Sequence, residues 1–250
     1  MRDVRAKKHL GQHFLNDENI AFNITELLNS NTKNIVEIGP GMGVLTKFLV
    51  KNNYETEVIE IDTESVFYLK INYPELNIYE GDFLQIDLKE QYPYNFSLIG
   101  NFPYNISSQI LFKVFENRDQ IPEVIGMFQK EVAERIACEK GKKRGILSVF
   151  LQTFYDIEYC FTVNEDVFTP PPKVKSGVIK LARNNRKELS VDEKKFKRVV
   201  KAGFNQKRKT LRNALKAFTL INESEIANLL PLRAEQLTVD DFIKLTNHVG

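Results

Sequence analysis

The sequence is poor in the residues that build disulfides and metal sites. It contains no tryptophan and only two cysteines, Cys138 and Cys160, whose spacing matches neither a metal site nor a redox motif. We interpret them as reduced thiols in a cytoplasmic protein. The three histidines, His9, His13 and His248, are too far apart in the sequence to suggest a zinc site. We therefore predict no metal.

Long apolar runs are also missing. No stretch approaches the roughly 18 apolar residues that a membrane-spanning helix needs, and the basic segment Met1–Leu10 lacks the apolar core of a secretory signal. We therefore predict no membrane partner. With 250 residues, 42% of them hydrophobic, the chain can bury a full core and form one domain or two.

Negative charge is absent from one segment near the C-terminus. Residues 194–216 contain ten lysines and arginines and no acid. Subtracting these ten positive charges from the net charge of +2 leaves −8 on the rest of the chain. A charge run is often only a solvated face, but one so concentrated, in a segment with helical periodicity, favours a polyanionic partner.

What the sequence does contain is a regular alternation of strand-like and helix-like segments. Strands followed by helices imply an α/β fold with a mostly parallel sheet covered on both faces. Beyond about Arg183 the strand signals stop and the chain becomes helical and basic. We therefore predict an α/β domain over residues 1–184 and a small all-helical domain over residues 185–250. The predicted strands are Asn34–Ile38, Glu57–Ile61, Leu76–Glu80, Phe96–Gly100 and Val124–Phe128, with later strand-like runs at Ile157–Val163 and Val178–Leu181.

Three successive strand ends carry residues suited to a nucleoside. Gly39 and Gly41 follow the first strand, Glu60 closes the second, and Asp82 follows the third. Ligands of such sheets bind at the carboxyl ends of the strands. Glu60 is placed to accept hydrogen bonds from ribose hydroxyls, and Asp82 from an adenine amino group. A dinucleotide fingerprint requires Gly or Ala where this chain has Val44. The pattern favours S-adenosyl-L-methionine over NAD, while a tight turn without a ligand is the simpler alternative.

The segment after the fourth strand carries the chemistry. Asn101-Phe102-Pro103-Tyr104 resembles the catalytic motif of methyltransferases that modify planar amino groups. The side-chain carbonyl of Asn101 and the backbone carbonyl of Phe102 can accept the two N–H bonds of an exocyclic amine and stabilise the positive charge that develops on it. Pro103 restricts the backbone, and Tyr104 offers a ring for base stacking. The alternative is an Asn-Pro turn with a buried tyrosine.

Together with segments along nearly the whole chain, this motif resembles the small-subunit ribosomal RNA adenine N6,N6-dimethyltransferase family, relatives of the macrolide-resistance rRNA methyltransferases. That family has a Rossmann-type class I methyltransferase domain followed by a helical domain that grips RNA. The matching segments are residues 11–17 (GQHFLND), 37–41 (EIGPG), 100–107 (GNFPYNIS), 129–132 (QKEV), 168–174 (FTPPPKV) and 202–213 (AGFNQKRKTLRN).

The resemblance implies roles for particular residues. Phe168 corresponds to a second base-stacking aromatic, although on its own a phenylalanine before three prolines more often anchors a loop in the core. Position 13 is often Asn in the family, and position 102 is usually Leu or Pro. The implied cofactor contacts are His13, Leu15, Gly39, Gly41, Glu60, Asp82 and Asn101, and the RNA contacts expected in the basic segment are Lys194, Lys197, Lys201, Lys207, Arg208, Lys209 and Arg212.

The implied activity is dimethylation of two adjacent adenines in a hairpin near the 3′ end of small-subunit rRNA. The implied partner is an immature ribosomal small subunit, and we expect a monomer. Three alternatives stay open. The chain could be a large-subunit rRNA methyltransferase of the macrolide-resistance type, a mainly non-catalytic assembly factor, or an NAD-dependent oxidoreductase. Residues 204–213 argue against the first, an intact Asn101 motif against the second, and Val44 against the third.

Overall fold

The computed structural model describes residues 4–29, 31–52 and 54–250. Its strands, in chain order, are β1 Phe14–Leu15, β2 Asn34–Ile38, β3 Glu55–Glu60, β4 Asn77–Glu80, β5 Ser97–Asn101, β6 Glu123–Gln129, β7 Tyr155–Val163, β8 Phe168–Thr169 and β9 Ser176–Arg183. Its α-helices are α1 Glu18–Thr25, α2 Thr46–Lys51, α3 Thr63–Asn72, α4 Leu88–Gln91, α5 Ser107–Glu116, α6 Lys130–Ala137, α7 Ile146–Phe154, α8 Glu193–Asn205, α9 Leu211–Ala214 and α10 Val239–Asn247.

The main sheet has seven strands in the order β4-β3-β2-β5-β6-β9-β7. The ladders from β4 through β3, β2 and β5 to β6 are parallel, and β9 runs antiparallel to β6. The predicted mostly parallel sheet is therefore confirmed. Since strand order reverses between β2 and β5, the carboxyl ends of these two strands border the crevice in which such folds bind ligands.

Burial explains why the central strands contain few polar residues. Every residue of β6 except its last is buried, and β2 is buried from Ile35 onward. A strand that is buried on both faces requires cover on each side. On one side the cover comes from α1 and α2, whose residues Ile24 and Leu49 share an apolar cluster with Ile99 and Ile125 of the sheet.

The chain divides into two compact units. The first comprises Met1–Ala133 and Ile157–Arg183, and the second comprises Glu134–Asp156 and Asn184–Gly250. The second unit therefore contains residues 134–156, which the sequence analysis placed in the α/β domain. That two separate domains meet between residues 184 and 185 stays a prediction.

The second unit is built from helices around aromatic contacts. The rings of Phe150 and Phe196 lie 6.3 Å apart, and those of Phe204 and Phe242 lie 6.0 Å apart. Helix α8 is preceded by the N-cap residue Asp192, whose side chain accepts from the Lys195 backbone N–H at 2.7 Å. After Arg183, the only strand-like pairing in the described residues is an isolated bridge between Leu220 and Val249.

The described residues contain neither a membrane-spanning helix nor a metal-binding cluster. No helix among them has both the length and the apolar character to cross a membrane. They also contain no group of three or more His, Cys, Asp or Glu side chains that could hold a metal ion.

Candidate active site

A cavity at the carboxyl ends of β2, β3 and β5 collects the residues predicted to bind the cofactor and to act in catalysis, with the exception of Phe168. Its wall comes from the first unit alone. The predicted residues that line it are His13, Leu15, Gly39, Gly41, Glu60, Asp82, Asn101, Phe102, Pro103 and Tyr104.

The turn after β2 forms the floor of this cavity. Gly39 and Gly41 have φ values of 64° and 56°, in the left-handed region that favours glycine. A Cβ at Gly41 would lie 2.7 Å from a ring carbon of Phe14. The backbone therefore comes closer to the N-terminal segment here than any other residue would allow.

Glu60, at the end of β3, holds this turn in place. Its Oε2 accepts the backbone N–H of Gly41 at 3.0 Å, and its Oε1 accepts that of Asp62 at 2.9 Å. Burial raises the pKa of the Glu60 carboxyl, and the two backbone hydrogen bonds oppose that shift. Each carboxylate oxygen retains a further lone pair. Glu60 can therefore support the turn and still accept hydrogen bonds from a ligand.

Glu37 is a second buried carboxyl in the cavity wall, and it was not predicted as a site residue. Its Oε2 accepts the hydroxyl of Thr46 at 2.6 Å. Burial raises the pKa of Glu37 to about 8, with a smaller contribution from the charge of Glu60. The side chain is therefore mostly neutral at pH 7. The sequence signal available for it was an acid inside the apolar strand Asn34–Ile38.

Asp82 follows β4 and starts the short 3-10 turn Phe83–Gln85. Its Oδ1 accepts the Leu84 backbone N–H at 2.9 Å. The far side of the turn is held by Lys113 of α5, whose ammonium donates to the carbonyls of Phe83 at 2.7 Å, Leu84 at 3.1 Å and Ile86 at 2.5 Å. Burial lowers the pKa of Lys113. Lys113 was not predicted as a site residue, and its only sequence signal is a charge within an apolar helical stretch.

The segment before α1 runs along the cavity and is tied down on both sides. Strand β1 pairs with β8. Near the other end, the ammonium of Lys7 binds the carboxylate of Asp62, which is itself buried. The hydrogen bond from Lys7 and others nearby lower the pKa of Asp62 against the opposing effect of burial. Residues 9–15 therefore form a fixed wall of the cavity.

Asn101, the last residue of β5, has its side-chain amide oriented by one contact. Its Nδ2 donates to the backbone carbonyl of His13 at 2.8 Å. A carbonyl can only accept, so the nitrogen must face His13. The Asn101 Oδ1 is therefore available as an acceptor in the cavity.

Tyr104 and His13 form a stacked pair beside Asn101, with ring centroids 5.4 Å apart and an interplanar angle of 30°. The Tyr104 hydroxyl lies 2.5 Å from the Ser176 hydroxyl. The His13 Nδ1 lies 2.7 Å from the carbonyl of Pro170, so this nitrogen carries the proton. Ser176 is buried and was not predicted as a site residue. Burial raises the pKa of Tyr104, which keeps the phenol neutral.

Phe102 and Pro103 complete the motif. The Phe102 ring is buried and lies 5.0 Å from the Phe128 ring. Its backbone N–H donates to the Met127 carbonyl at 3.1 Å. Because the side chain packs inside the first unit, the change from the usual Leu or Pro alters packing rather than the wall chemistry. Pro103 lines the cavity.

Phe168 is the one predicted catalytic residue that lies elsewhere. It pairs with Leu15 across the β1–β8 ladder and is 2% exposed. Its side chain belongs to the apolar cluster that also contains Val163 and Val178. In this structure Phe168 has the position of a core residue, which was the alternative interpretation. Its role in base stacking stays a prediction that requires the side chain to move.

The predicted RNA-binding residues all lie in the second unit, and their surroundings differ. Lys194, Lys197 and Lys201 are spaced to lie along one face of α8. Lys194 and Lys201 are exposed, whereas Lys197 is half-buried at the border of the apolar face. Lys197 pairs with Glu193 at 2.9 Å, and Arg212 with Glu223 at 2.9 Å. Arg208 and Lys209 are exposed. The ammonium of Lys207 binds backbone carbonyls instead of facing solvent alone.

The residues of the cavity suit the adenosine part of a ligand. At Gly39 a Cβ would meet nothing nearer than Pro103, at 4.0 Å, so this glycine leaves space for a ligand. Glu60 offers acceptors for two hydroxyls, and Asp82 lines the wall, where an amino group can donate to it. S-adenosylmethionine presents two ribose hydroxyls and an adenine amino group, which these residues can bind. These acceptors therefore agree with the expected cofactor.

Comparisons with known proteins agree with this geometry. A family model described as ribosomal RNA adenine dimethylase matches residues 4–249. The chain is 61% identical over 253 residues to ribosomal RNA small subunit methyltransferase A of Cytophaga hutchinsonii, covering 99% of this chain and 98% of the relative. It is 56% identical to the protein of the same name from Flavobacterium johnsoniae, covering 100% and 97%.

Two solved structures have a similar fold. A dimethyladenosine transferase from Plasmodium falciparum aligns with a TM-score of 0.79 and 25% identity, covering 95% of this chain and 99% of that one. The 23S rRNA methyltransferase ErmE aligns with a TM-score of 0.75 and 22% identity, covering 94% and 98%. The likeness to ErmE is one of fold alone.

Proposed function

Because this chain belongs to the ribosomal RNA adenine dimethylase family, we propose that it converts two adjacent adenines, in a hairpin near the 3′ end of small-subunit rRNA, to N6,N6-dimethyladenosines. The methyl groups come from S-adenosyl-L-methionine. The family predicted from the sequence motifs is confirmed, as is the class of enzyme. The two adenines, the hairpin and the residue roles given below are our proposal.

The observation that carries the proposal is the orientation of Asn101. Its amide nitrogen donates to the His13 carbonyl at 2.8 Å, which leaves Oδ1 free to accept an N–H from an exocyclic amine. An acceptor held in this way is already oriented before the reaction, and such preorganised polar groups supply much of the rate enhancement in enzymes.

The other residues of the cavity bind and orient the reactants. Glu60 and Asp82 hold the ribose and the adenine of the cofactor, and His13, Leu15, Gly39 and Gly41 complete its contacts. S-adenosylmethionine, when bound, supplies an electrophilic methyl group on a sulfonium.

The target amine is held by the Asn101-Phe102-Pro103-Tyr104 segment. Asn101 Oδ1 and the Phe102 carbonyl accept its N–H bonds, Pro103 restricts the backbone between them, and the Tyr104 ring stacks on the base. Positive charge develops on the nitrogen during transfer, and the proton then leaves to water, so no buried general base is needed. Each substrate receives up to four methyl groups, and the cofactor is exchanged after each transfer.

The partner is the rRNA of an immature small subunit in the cytoplasm, and the enzyme acts as a monomer. Residues 185–250 form the RNA-binding domain and residues 1–184 the methyltransferase domain. The concentration of ten basic residues in 194–216 supports this assignment, because cationic side chains neutralise phosphates and release counterions.

The test is transfer of labelled methyl groups to small subunits from cells that lack this protein. We expect N6,N6-dimethyladenosine on these subunits and none on large-subunit rRNA. Protein-free small-subunit rRNA, run in parallel, shows whether the assembled particle is required. Transfer to large-subunit rRNA would instead assign the macrolide-resistance activity, and binding without transfer would assign an assembly factor.

A further inference from the structure

The ammonium of Lys207 connects two basic segments that lie far apart in the sequence. It donates to the backbone carbonyls of Lys142 at 2.7 Å and Arg144 at 3.2 Å. Two of its three donors are therefore used within the second unit. The residues that follow it, Arg208 and Lys209, are exposed. A loop at residues 140–144 is in this way held beside the 207–209 run.

This loop is anchored from below as well. Arg144 is buried, and its guanidinium donates to the Leu237 carbonyl and to Oε1 of Gln152, the latter at 2.9 Å. Burial lowers the pKa of Arg144 to about 10, so it stays charged at neutral pH. The backbone N–H of Gly141 donates to the Glu235 carbonyl at 2.8 Å. With its backbone held at these points, the loop presents its remaining side chains in a defined place.

The side chains presented there are mainly cations. Lys140 and Lys142 are exposed. Among the described residues, no carboxylate lies within ion-pair distance of Lys140, Lys142, Arg208 or Lys209. Two acids lie nearby in the sequence. Glu134 is paired with Lys143, and Glu139 is exposed.

We propose that residues 140–143 and 207–209 form one phosphate-binding surface, on which Lys140 and Lys142 contact the RNA backbone. Lys207 is a positioning residue that acts by holding the loop. The inference rests on the proposed function and adds a second RNA-contacting segment to the basic stripe. Neither segment contains an aromatic residue, so the surface suits phosphates rather than stacked bases.

The test replaces the two loop lysines. The Lys140→Gln/Lys142→Gln variant is compared with the wild type for the salt dependence of binding to small-subunit rRNA. Each lost phosphate contact should flatten the slope of log K against log salt by about 0.7 to 0.9, so two contacts should give about 1.4 to 1.8. Cofactor affinity should stay unchanged. A matched control, Lys51→Gln/Lys89→Gln, removes the same charge from exposed positions in the first unit.

The outcomes separate this inference from the function it rests on. A wild type that binds rRNA without salt dependence contradicts the RNA-binding part of the proposed function. A wild-type slope that is flattened by Arg208→Gln/Lys209→Gln, but not by the loop variant, overturns the inference alone. An equal loss in the control variant overturns it too, as a general charge effect. Polyglutamate serves as a probe for acidic proteins. If the loop variant loses binding to polyglutamate but retains binding to rRNA, the surface belongs to an acidic protein and the inference is overturned as well.

The role of Lys207 is tested by combining substitutions. If Lys207 acts through the loop, Lys207→Met should weaken rRNA binding in the wild type but add little in the Lys140→Gln/Lys142→Gln background. Coupling of this kind is what contacting residues show in double-mutant cycles. Full additivity, with the slope flattened equally in both backgrounds, would place Lys207 directly on a phosphate. Thermal unfolding of each variant verifies that the second unit remains folded.

Discussion

At Asn101, a single hydrogen bond decides which half of the side-chain amide faces the cavity. Because the amide nitrogen donates to the His13 carbonyl at 2.8 Å, the side-chain oxygen is left to accept a hydrogen bond from the target amine. The same contact ties the catalytic residue to the N-terminal wall of the cavity. One side chain thus has two roles, which different substitutions can separate.

We expect Asn101→Ala to reduce the rate of methyl transfer about a hundredfold, comparable with the loss of one preorganised donor in an oxyanion site. Affinity for small subunits should stay within a few-fold, since the interaction strengthens in the transition state. The measurement is single-turnover transfer, with monomethyl and dimethyl products resolved. Asn101→Asp keeps an acceptor but sets a carboxylate against the His13 carbonyl. These two acceptors repel each other, so Asn101→Asp should disturb the N-terminal wall and weaken cofactor binding more than Asn101→Ala does. Near-normal rates in the alanine variant would remove Asn101 from the chemistry.

The buried carboxyl of Glu37 should make the stability of the folded protein depend on pH. Its pKa of about 8 in the folded protein lies above the ordinary value of 4.5 because the carboxyl is buried. Folding therefore takes up a proton between these two values. The stabilisation is fully present below about pH 4.5 and is lost as the pH rises through 8.

The check is the free energy of unfolding of the wild type and of Glu37→Gln between pH 5 and 9. As the pH rises, the free energy of unfolding of the wild type should fall relative to that of Glu37→Gln by up to about 1.4 kcal/mol per pH unit. This relative loss should level off above pH 8. Glu60→Gln is the companion variant, since the charge of Glu60 contributes to the shift. A pH-independent difference would show that Glu37 titrates normally.

At the scale of elements, the turn after β4 depends on a lysine from another helix. Three carbonyls of Phe83, Leu84 and Ile86 point to the ammonium of Lys113, while Asp82 holds the start of the turn. The edge of the cavity that is assigned to adenine is therefore shaped by α5, which contributes no predicted cofactor contact.

Lys113→Met should leave these carbonyls without their donor and loosen the turn. A lost partner at a partly buried site costs about 1–3 kcal/mol, so we expect cofactor affinity, measured by calorimetry, to fall about tenfold. The rate at saturating cofactor should change little, because Asn101 and Tyr104 belong to other elements. Lys89→Met, an exposed lysine in the neighbouring helix α4, is the matched control. Unchanged cofactor affinity in Lys113→Met would show that the turn takes no part in cofactor binding.

At the scale of the whole molecule, charge and chemistry are divided between the two units. The cavity belongs to the first unit, and the ten basic residues of 194–216 belong to the second. Substitutions in the second should therefore alter RNA binding and leave cofactor binding unchanged.

For α8 we expect Lys194→Gln/Lys201→Gln to flatten the salt dependence of rRNA binding by about 1.4 to 1.8. Lys197→Gln should flatten the slope less than Lys194→Gln or Lys201→Gln alone, because Lys197 already pairs with Glu193 at 2.9 Å. Cofactor affinity by calorimetry is the internal control. An unaltered slope in the double variant would show that this face of α8 is only solvated.

Much of the fold was predictable from local signals. The strand predicted at residues 34–38 matches β2, and the strand predicted at residues 124–128 lies within β6, because periodicity and turn residues act over a few positions. Helix α1, which begins at the Asp17 cap, and the β1–β8 ladder were not predicted. The ladder joins residues more than 150 positions apart, and no local pattern encodes such a pairing.

The sequence by itself determined the family, the α/β class and the residue types of the cavity, because motif chemistry and hydrophobic periodicity are local properties. Only the tertiary structure decided how those residues are used. It turned the Asn101 oxygen inward through His13, placed Phe168 in the core, and engaged Lys207 with a loop 63 residues earlier. Each of these outcomes depends on a neighbour that is distant in sequence. A side chain's hydrogen-bond partners and burial are set by packing, which the order of residues specifies only through the folded chain.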